Sequence, residues 1–504
     1  MDTAELTNVT APRTGAAPRW PQQLLINGRL VAGEGATIEV EDPSTGRVFT
    51  SFPGASAGQI EQTLAAARKA ADDGAWAGLR PAERVAAVRR LLAALQRRRD
   101  EIADLVVAET GCPVGSMVFP IQIDSSLVNV QDQLDLYLTL PETEDNARPL
   151  QQRFSYSGKV SQSLKRHVPL GVVTAISAYN FPFFLNVWKI IPALATGNAV
   201  ILRPSPLTPL SALVIGEAAL EADLPPGVLQ VVAEPGADGA LALTTDPRVD
   251  MVGFTGSTAV GRKVMEQAAP TMKRLQLELG GKSAQIFLPD RASAAVAMAI
   301  GGCLAHAGQG CSIGTRIFVP LAAKAEVLAA MAKGLEGVAI GDPRDPATQM
   351  GPLINAAQVE RCERSVELAV EHGGTVVAGG KRVERPGNYF EPTVLDVPDN
   401  TNPAAQDEIF GPVITVIGYR DLDHAVEMAN DSALGLAGYV FGDDVQAAVD
   451  VAMRIRAGTV DVNGAGTMSG YVSMGGHRSS GLGRERGVEG LRAYQEIQVL
   501  NFSN

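Results

Sequence analysis

Residues 171–202 read GVVTAISAYNFPFFLNVWKIIPALATGNAVIL, and this stretch decides the fold class. The run 171–176 is apolar and rich in β-branched residues, which predicts a buried strand. The run 183–195 has the length and composition of a buried helix and stops at Gly197. A second apolar run, 199–202, predicts another strand. A strand, a helix and a strand in this order indicate a parallel pair within a doubly wound α/β sheet.

The alternation of strands and helices continues on both sides of this stretch. The remaining strands are expected, in chain order, at 24–26, 38–40, 229–232 and 251–254. The remaining helices are expected at 57–73, 81–110, 209–222, 294–305, 321–335, 356–372 and 423–430. A second α/β block is expected from about residue 284, and residues 1–20 are expected to be a flexible tail.

The composition is that of a globular protein with a negatively charged surface. Its 504 residues exceed one ordinary core, so two or three domains are expected. Hydrophobic residues make up 46% of the chain, charged residues make up 19%, and the formal net charge is −12. This charge, without a basic cluster interleaved with aromatic residues, argues against nucleic acid as a partner. The longest apolar stretch, 294–305, is shorter than the roughly 20 residues that span a membrane, so no membrane is expected.

The cysteines and the N-terminus favour a cytoplasmic protein. The four cysteines form no CxxC pair and are too few for a disulfide framework in a chain of this length. A reducing compartment is therefore expected. Asp2 and Glu5 occupy positions where a signal peptide carries positive charge, and no apolar run follows them.

The segment 151–168 differs from its surroundings. Its alternating pattern around a turn at Ser157-Gly158 predicts a polar β-hairpin. So thin a β pattern does not fold alone, which suggests that it lies on another subunit. An ordinary surface hairpin is an equally good interpretation of the local sequence.

The sequence GQGC at 308–311 predicts an accessible thiol at Cys311. An apolar run over 294–305 precedes it, and a β-like run over 316–319 follows. Small neighbours leave the sulfur accessible, and a helix end with free backbone N–H groups favours a thiolate. Cys311 is therefore a candidate nucleophile. A cysteine taken alone is more often buried and inert.

Three further motifs lie at the ends of expected strands. FTGSTAVG at 254–261 could let backbone groups approach a phosphate, Glu278 in ELGGK could be a general base, and Asn180 in YNFP could donate to an oxyanion. Each motif also fits an ordinary turn or a solvated strand end. His306 lies at a poor helical spacing from Cys311, so we interpret it as structural, and the five histidines show no metal-ligand spacing.

Together and in this order, the motifs resemble those of the aldehyde dehydrogenase superfamily over about residues 22–500. The combination is far more specific than any one motif. The matching segments are Asn180-Phe181-Pro182, PALATGN at 192–198, FTGSTAVG at 254–261, ELGGK at 278–282, GQGC at 308–311, GDP at 341–343, GPL at 351–353 and EIFGPV at 408–413. The resemblance implies oxidation of an aldehyde to a carboxylic acid with NAD.

The resemblance also implies the catalytic roles. Cys311 matches the nucleophile, which forms a thiohemiacetal and then a thioester. Glu278 matches the base that activates water to hydrolyse the thioester, and Asn180 matches the oxyanion donor, together with the Cys311 backbone N–H. Lys189 matches a lysine of the site, and Glu485 matches a carboxylate in a proton path.

For the cofactor, the resemblance implies that Gly256, Ser257 and the helix they open contact the pyrophosphate. Glu408 matches the residue that holds the nicotinamide ribose, and Phe410 matches one that packs near the nicotinamide. The remaining cofactor-binding residues implied by position are Ser177, Tyr179, Arg203, Ser205 and Leu279.

The chain departs from the family where the adenine ribose is expected. The usual Lys-Pro-Ser-Glu motif reads Arg203-Pro204-Ser205-Pro206, so a cation is kept and a carboxylate is lost. A carboxylate repels a 2′-phosphate and an arginine attracts one, which makes NADP an alternative cofactor. NAD remains the favoured prediction. Two smaller departures are Tyr179 for a tryptophan and SMGG at 473–476 for Pro-Phe-Gly-Gly.

The residues that the resemblance places along the aldehyde tunnel are apolar. They are Phe181, Phe184, Leu185, Trp188, Ile313, Met468 and Met474. No arginine or lysine is among them, so a medium-chain, terpenoid or aromatic aldehyde is expected rather than a dicarboxylic semialdehyde. An apolar tunnel that selects little is the alternative.

The resemblance further implies three domains and a homodimer or homotetramer. Residues 21–150 and 169–277 would form a doubly wound dinucleotide-binding domain, and 278–480 an α/β catalytic domain. Residues 151–168 and 481–504 would form a small β oligomerisation element.

Other functions remain as alternatives. A cysteine hydrolase or acyltransferase would use Cys311 with His306, but would leave the FTGSTAVG turn without a role. A catalytically silent structural member would not need intact Cys311, Glu278 and Asn180. Within the superfamily, a CoA-acylating branch passes the acyl group to a thiol, whereas Glu278 favours water.

Overall fold

The structure, a computed structural model, describes residues 19–156, 158–464 and 469–503. The expected tail at 1–20 lies almost entirely outside these ranges. Two large sheets carry the chain, and each has its own hydrophobic core. The predicted α/β fold class is confirmed.

The first sheet has eight strands, five of them parallel at its centre. In spatial order the strands are Arg29–Ala32, Gln23–Ile26, Leu229–Val231, Ala199–Arg203, Val172–Ile176, Met251–Thr255, Arg274–Glu278 and Gly481–Leu482. The two central strands Val172–Ile176 and Ala199–Arg203 are fully buried and parallel, as residues 171–202 predict. Their carboxyl ends lie at one edge, where doubly wound sheets bind ligands.

The second sheet has seven strands. In spatial order they are Thr375–Ala378, Thr393–Asp396, Val413–Tyr419, Arg316–Pro320, Ala284–Phe287, Ala437–Phe441 and Thr459–Val462. All neighbours except the first pair run parallel. The edge strand Gly481–Leu482 of the first sheet pairs with the end of Arg274–Glu278, which brings the C-terminal region to Glu278.

The segment 151–168 joins a third, three-stranded sheet. Strand Ser161–Pro169 pairs along its whole length with Gln495–Ser503, and Thr143–Asp145 pairs on its other side. Phe154 and Val160 form the expected antiparallel contact across the turn. The thin hairpin is therefore extended by a strand from the same chain.

The helices cover both large sheets. The α-helices are Ala57–Asp72, Pro81–Arg97, Arg99–Thr110, Ser126–Thr139, Pro182–Ala195, Leu210–Glu221, Asp238–Thr245, Thr258–Ala268, Ala295–Met298, Lys324–Leu335, Ala356–Glu371, Pro403–Gln406, Leu422–Asn430, Val445–Ala452 and Gly487–Ala493. Short two-stranded sheets are formed by Thr37–Asp42 with Arg47–Pro53 and by Leu434–Gly435 with His477–Arg478.

Two expected helices differ from the prediction. The run 81–110 breaks at Arg98, whose guanidinium bonds Glu217 and Glu221 on a neighbouring helix. The run 294–305 is helical without a gap from Ala295 to Cys303, but it changes from an α-helical turn, Ala295–Met298, to a π-helical stretch, Ala299–Cys303, which holds two glycines. His306 and Ala307, which follow, have positive φ values of 51° and 53°. The helix expected at 294–305 is therefore present, but it is irregular and ends at Cys303.

Two neighbouring helices are together apolar and long enough to span a membrane, but neither is so alone. Within the described ranges, no single helix is long and apolar enough to cross a membrane. Arg99–Thr110 and Val114–Thr139 reach the required length and composition only when joined across a bend of 119°.

Candidate active site

The loop that carries Cys311 packs tightly against two other glycine-containing segments. A β-carbon built on Gly281 would stand 2.0 Å from the carbonyl oxygen of Cys311, and one on Gly308 would stand 2.1 Å from that of Gly411. Such close approach requires glycine. The ELGGK turn, the GQGC loop and the EIFGPV segment therefore meet at one point, and a cavity lies between them.

Asn180 reaches this loop from the first sheet. It follows strand Val172–Ile176 and is buried, and its Nδ2 donates to the carbonyl oxygen of Gln309, two residues before Cys311, over 2.9 Å. The other N–H of the amide is available for a further acceptor. The structure thus brings the amide and the cysteine loop together.

Cys311 is partly exposed and un-ionised at neutral pH. Burial of the sulfur, followed by the negative charges of Glu408 and Glu278, raises the pKa of Cys311 to about 12. The expected thiolate at a helix end is wrong for the resting protein. The residues before the cysteine, His306, Ala307 and Gly308, have φ values of 51°, 53° and 72°, so no regular helix end faces the sulfur, and the charges that act on it are carboxylates.

Glu278 ends a buried strand and is itself buried. Burial, then the negative charge of Glu485, raises the pKa of Glu278 well above its usual range, against the opposing charges of Lys189, Arg484 and Arg486. Its Oε1 has no hydrogen-bond partner within the described part of the chain. A carboxylate whose pKa is raised by burial is a stronger base than a free carboxylate.

Behind Glu278 lies a buried ion pair. Lys189 Nζ and Glu485 Oε1 are 2.6 Å apart, with side chains 1% and 4% exposed. Lys189 comes from helix Pro182–Ala195, and Glu485 is held by two backbone hydrogen bonds with Met474. The two residues that the sequence placed at the site by resemblance are in direct contact.

His306 forms no dyad with Cys311. Its ring lies against Phe181, with centroids 5.3 Å apart, and neither ring nitrogen has a hydrogen-bond partner among the described residues. Burial lowers the pKa of His306 to about 4, so the ring is neutral. This packing role is the one expected from the sequence. In the described part of the chain, no group of three or more His, Cys, Asp or Glu side chains could hold a metal ion.

The groups predicted to hold the nicotinamide end surround the same cavity. Glu408 Oε1 accepts from the Gly281 N–H over 2.9 Å. Phe410 has a φ of 61° and packs edge-to-face on Tyr179, with centroids 5.9 Å apart. Leu279 is buried, and its N–H donates to the Ser480 carbonyl oxygen.

The FTGSTAVG turn opens a helix at the carboxyl edge of the first sheet. Ser257 caps helix Thr258–Ala268, and a β-carbon on Gly256 would lie 2.5 Å from the Phe254 ring. The turn is therefore tight, and the helix start favours negative charge, so these residues suit a pyrophosphate. The Ser177 hydroxyl instead donates to Asn186 Oδ1 inside the protein, and Ser205 Oγ accepts from the Leu207 N–H.

Arg203 has a partner that the sequence reasoning missed. Its guanidinium lies 3.2 Å from Glu234 Oε1, and both residues are buried. Glu234 also accepts from the N–H groups of Gly239 and Ala240, each over 2.7 Å. Glu234, in the loop after strand Leu229–Val231, thus places a carboxylate at the end of strand Ala199–Arg203, where the sequence itself has none. The Pro-Gly after Glu234 marks a turn, but only the tertiary structure pairs it with Arg203.

Two of the predicted tunnel residues lie beside the Cys311 loop, and others lie on the helix that follows Phe181. Phe184, Leu185 and Trp188 lie buried on helix Pro182–Ala195. A β-carbon on Gly310 would meet Ile313 at 2.7 Å and Phe181 at 3.8 Å, which places both side chains beside Cys311. Met474 is paired with Glu485 through the backbone, and Met468 lies outside the described residues. Arg486, which the sequence reasoning missed, packs on Trp188.

The fold is that of one enzyme family. The sequence profile of the aldehyde dehydrogenase family matches residues 30–500, and the chain belongs to that family. The predicted family is confirmed, and with it the class of enzyme.

Individual relatives are similar over nearly the whole chain. A geranial dehydrogenase of Castellaniella defragrans is 38% identical, over 95% of this chain and 98% of its own. A betaine aldehyde dehydrogenase of Cereibacter sphaeroides is 36% identical, over 94% of this chain and 95% of its own. Among solved structures, a mutant of aldehyde dehydrogenase C from Pseudomonas syringae, in complex with NAD+ and octanal, is 34% identical with a TM-score of 0.89, covering 97% and 98% of the two chains.

Proposed function

We propose that this chain oxidises neutral, apolar aldehydes to carboxylic acids with NAD+, using Cys311 as the nucleophile. One observation carries the proposal. The ELGGK turn that bears Glu278 lies against the Cys311 backbone, and the Asn180 amide bonds the same loop. A nucleophile, a base and an oxyanion donor are thereby gathered from three distant segments.

The proposed reaction starts at the Cys311 thiol. Glu278 takes the thiol proton of Cys311, and the thiolate adds to the aldehyde carbon to give a thiohemiacetal. Asn180 and the Cys311 N–H stabilise its oxyanion. When bound, NAD+ accepts the hydride that leaves this carbon. Glu278 passes the thiol proton to solvent and then takes a proton from the water that attacks the thioester, and this proton returns to the Cys311 thiolate as it leaves. Aldehyde, NAD+ and water thus give acid, NADH and a proton.

The high pKa of the Cys311 thiol shapes the first step. With a pKa of about 12, the thiol is protected from oxidation until a base removes its proton. Glu278, whose pKa is raised by burial, is suited to that task and to the later activation of water. The buried Lys189–Glu485 pair holds a positive and a negative charge behind Glu278 and supports the proposed proton path.

For the cofactor, the Arg203–Glu234 pair favours NAD over NADP. A free arginine would attract a 2′-phosphate, but here Glu234 balances its charge and adds a carboxylate at the same strand end. The Pseudomonas syringae relative and an aldehyde dehydrogenase of Mycobacterium tuberculosis, 37% identical with a TM-score of 0.89 over 95% of this chain and 97% of its own, were both crystallised with NAD+.

For assembly, we propose that the three-stranded sheet joins copies of the chain. Its edge strand Gln495–Ser503 exposes Ile497, Val499, Leu500 and Phe502, by 62%, 52%, 48% and 42%. An apolar strand with an unpaired edge is a ready site for pairing with a second copy. Light scattering after size-exclusion chromatography would give the dimer or tetramer, and Leu500→Lys should weaken it.

An aldehyde panel assayed with NAD+ and NADP+ separately tests the proposed function. We expect NADH formation with rising kcat/KM from acetaldehyde to octanal and geranial. A preference for succinic semialdehyde, or no NADH with any aldehyde, would refute it. Ester turnover without a cofactor and without NADH would favour the hydrolase alternative instead.

A further inference from the structure

Both faces of the Trp188 ring are covered from within the protein. Trp188 is 3% exposed, and the ring of Phe184 lies 3.8 Å away, centroid to centroid, at an angle of 37°. The guanidinium carbon of Arg486 lies over the same ring, 4.5 Å from its centroid. Groups of this size cannot share one face at these distances. Phe184 therefore takes one face and Arg486 the other.

Arg486 is held at this position by its surroundings. It directly follows Glu485, whose carboxylate is fixed by Lys189, and its φ is 59°. Its Nη1 donates to the Ser469 carbonyl oxygen over 3.2 Å, and the residue is 8% exposed. Burial lowers the pKa of Arg486, and the carboxylates of Glu485, Glu278 and Asp461 act against this shift. An arginine remains charged under these conditions.

The groups around the Trp188 ring supply hydrogen-bond donors and a positive charge. Arg486 Nε and Trp188 Nε1 are buried, and neither has an acceptor in the described part of the chain. The face of an indole ring is the preferred site for a quaternary ammonium group, which binds through cation–π attraction. Here the protein's own cation occupies that face, so a cationic ligand meets a like charge and no free ring.

We infer that Arg486 is a specificity-determining residue that excludes aldehydes carrying a quaternary ammonium group and restricts the enzyme to uncharged aldehydes. The inference rests on the proposed function and assigns its restriction to neutral aldehydes to one residue. Overall identity does not decide between these classes, since the geranial and betaine aldehyde dehydrogenases are 38% and 36% identical to this chain. We assign the choice between charged and neutral aldehydes to the Arg486–Trp188 contact.

A pair of isosteric substrates tests the inference on the wild-type enzyme. Betaine aldehyde and tert-butylacetaldehyde have the same shape, with a cationic nitrogen replaced by a neutral carbon. We expect kcat/KM with NAD+ to be at least about a hundredfold higher for the neutral aldehyde. Comparable values, or a preference for betaine aldehyde, would overturn the inference while leaving aldehyde oxidation intact. No NADH with either aldehyde would count against the proposed function.

A binding measurement separates the two claims fully. Neohexyl alcohol, the neutral isostere of choline, should slow alkylation of Cys311 by iodoacetamide, and choline should not. This readout needs no turnover. Equal protection by choline would overturn the inference even if the enzyme were inactive.

Variants then assign the effect to Arg486. Arg486→Gln should shift the ratio of kcat/KM toward betaine aldehyde by at least about tenfold, and Arg486→Lys should keep the wild-type ratio. A matched control is Arg484→Gln, because Arg484 also acts on Glu278 but bonds the Gly476 and Gly483 carbonyl oxygens. The ratio should not change in this control. An unchanged ratio in Arg486→Gln, or an equal shift in Arg484→Gln, would contradict the role of Arg486.

Discussion

A β-carbon on Gly281 would stand 2.0 Å from the carbonyl oxygen of Cys311, so the turn that follows Glu278 fixes the backbone of the cysteine. No real β-carbon fits at that distance, and the obstructing atom is backbone. The spacing between Glu278 and Cys311 therefore depends on having glycine, with no β-carbon, at position 281.

Gly281→Ala should lower kcat/KM by about a hundredfold or more, because the Cys311 loop must shift to make room. Overpacking should also reduce the free energy of unfolding by about 1–3 kcal/mol. Steady-state kinetics and urea denaturation measure the two effects. Gly301→Ala is the control, since no described residue beyond its own helix and chain neighbours lies within 4 Å of a β-carbon there. Equal activity in the two variants would show that the contact is not needed.

Alkylation of Cys311 in the cofactor-free enzyme should rise with pH without a plateau near the pKa of a free thiol. Because the pKa of Cys311 is about 12, its thiolate fraction grows roughly tenfold per pH unit from about pH 7 to 10. Glu408→Gln removes a negative charge that opposes ionisation, so this variant should react faster at any fixed pH in that range. Iodoacetamide labelling followed by peptide mass spectrometry gives the rates. A plateau at or below about pH 8.5 would rule out the raised pKa.

Glu234→Gln should relax the preference for NAD. Loss of the carboxylate leaves Arg203 uncompensated, so the ratio of kcat/KM for NADP+ to that for NAD+ should rise about tenfold. NADPH binding, followed by fluorescence, should tighten in parallel, which gives a readout besides activity. Arg203→Gln should have the opposite effect on NADPH. If Glu234→Gln changes neither the kcat/KM ratio of NADP+ to NAD+ nor the affinity for NADPH, Glu234 does not determine the cofactor preference.

Lys189→Met should destabilise the protein by about 3–5 kcal/mol, because it leaves the Glu485 carboxylate buried without a partner. Adding Glu485→Gln should recover a large part of this loss, since the second change removes the unpaired charge. Urea denaturation of the wild type, both single variants and the double variant gives the coupling free energy. Additive effects would mean that the 2.6 Å ion pair does not couple the two residues.

Much of the fold could be predicted from the sequence. The strand over 171–176 and the helix over 183–195 are found as Val172–Ile176 and Pro182–Ala195, because continuous apolar runs bounded by Gly and Asn leave few other structures. The helix expected at 294–305 is present as far as Cys303, but its apolar composition did not indicate the π-helical stretch at the two glycines or the positive-φ residues that follow. Thr143–Asp145 was missed because its β structure depends on pairing with Ser161–Pro169.

Some residues of the site could likewise be predicted from the sequence, and others could not. Cys311, Glu278 and Asn180 lie in motifs that the sequence displays openly, and the structure brings their segments together. Glu234 and Arg486 carry no local signal, because their significance comes from partners far along the chain: Arg203 in one case and Trp188 in the other. The ionisation of Cys311 was likewise misjudged, since burial and the charges of Glu408 and Glu278 are tertiary properties. The domain boundaries stay predictions.

In the proposed reaction Cys311 holds the acyl group as a thioester, and Glu278 activates the water that hydrolyses it. Rapid mixing of Glu278→Gln with octanal and NAD+ tests this most directly, with NADH absorbance and intact-protein mass spectrometry read together. We predict that one NADH per active site forms more slowly than in the wild type, because the base for the thiol is also lost, and that an octanoyl adduct then accumulates on Cys311 before slow turnover. Cys311→Ala should give neither NADH nor adduct. A normal steady state in Glu278→Gln without an adduct, or NADH formation by Cys311→Ala, would contradict the account.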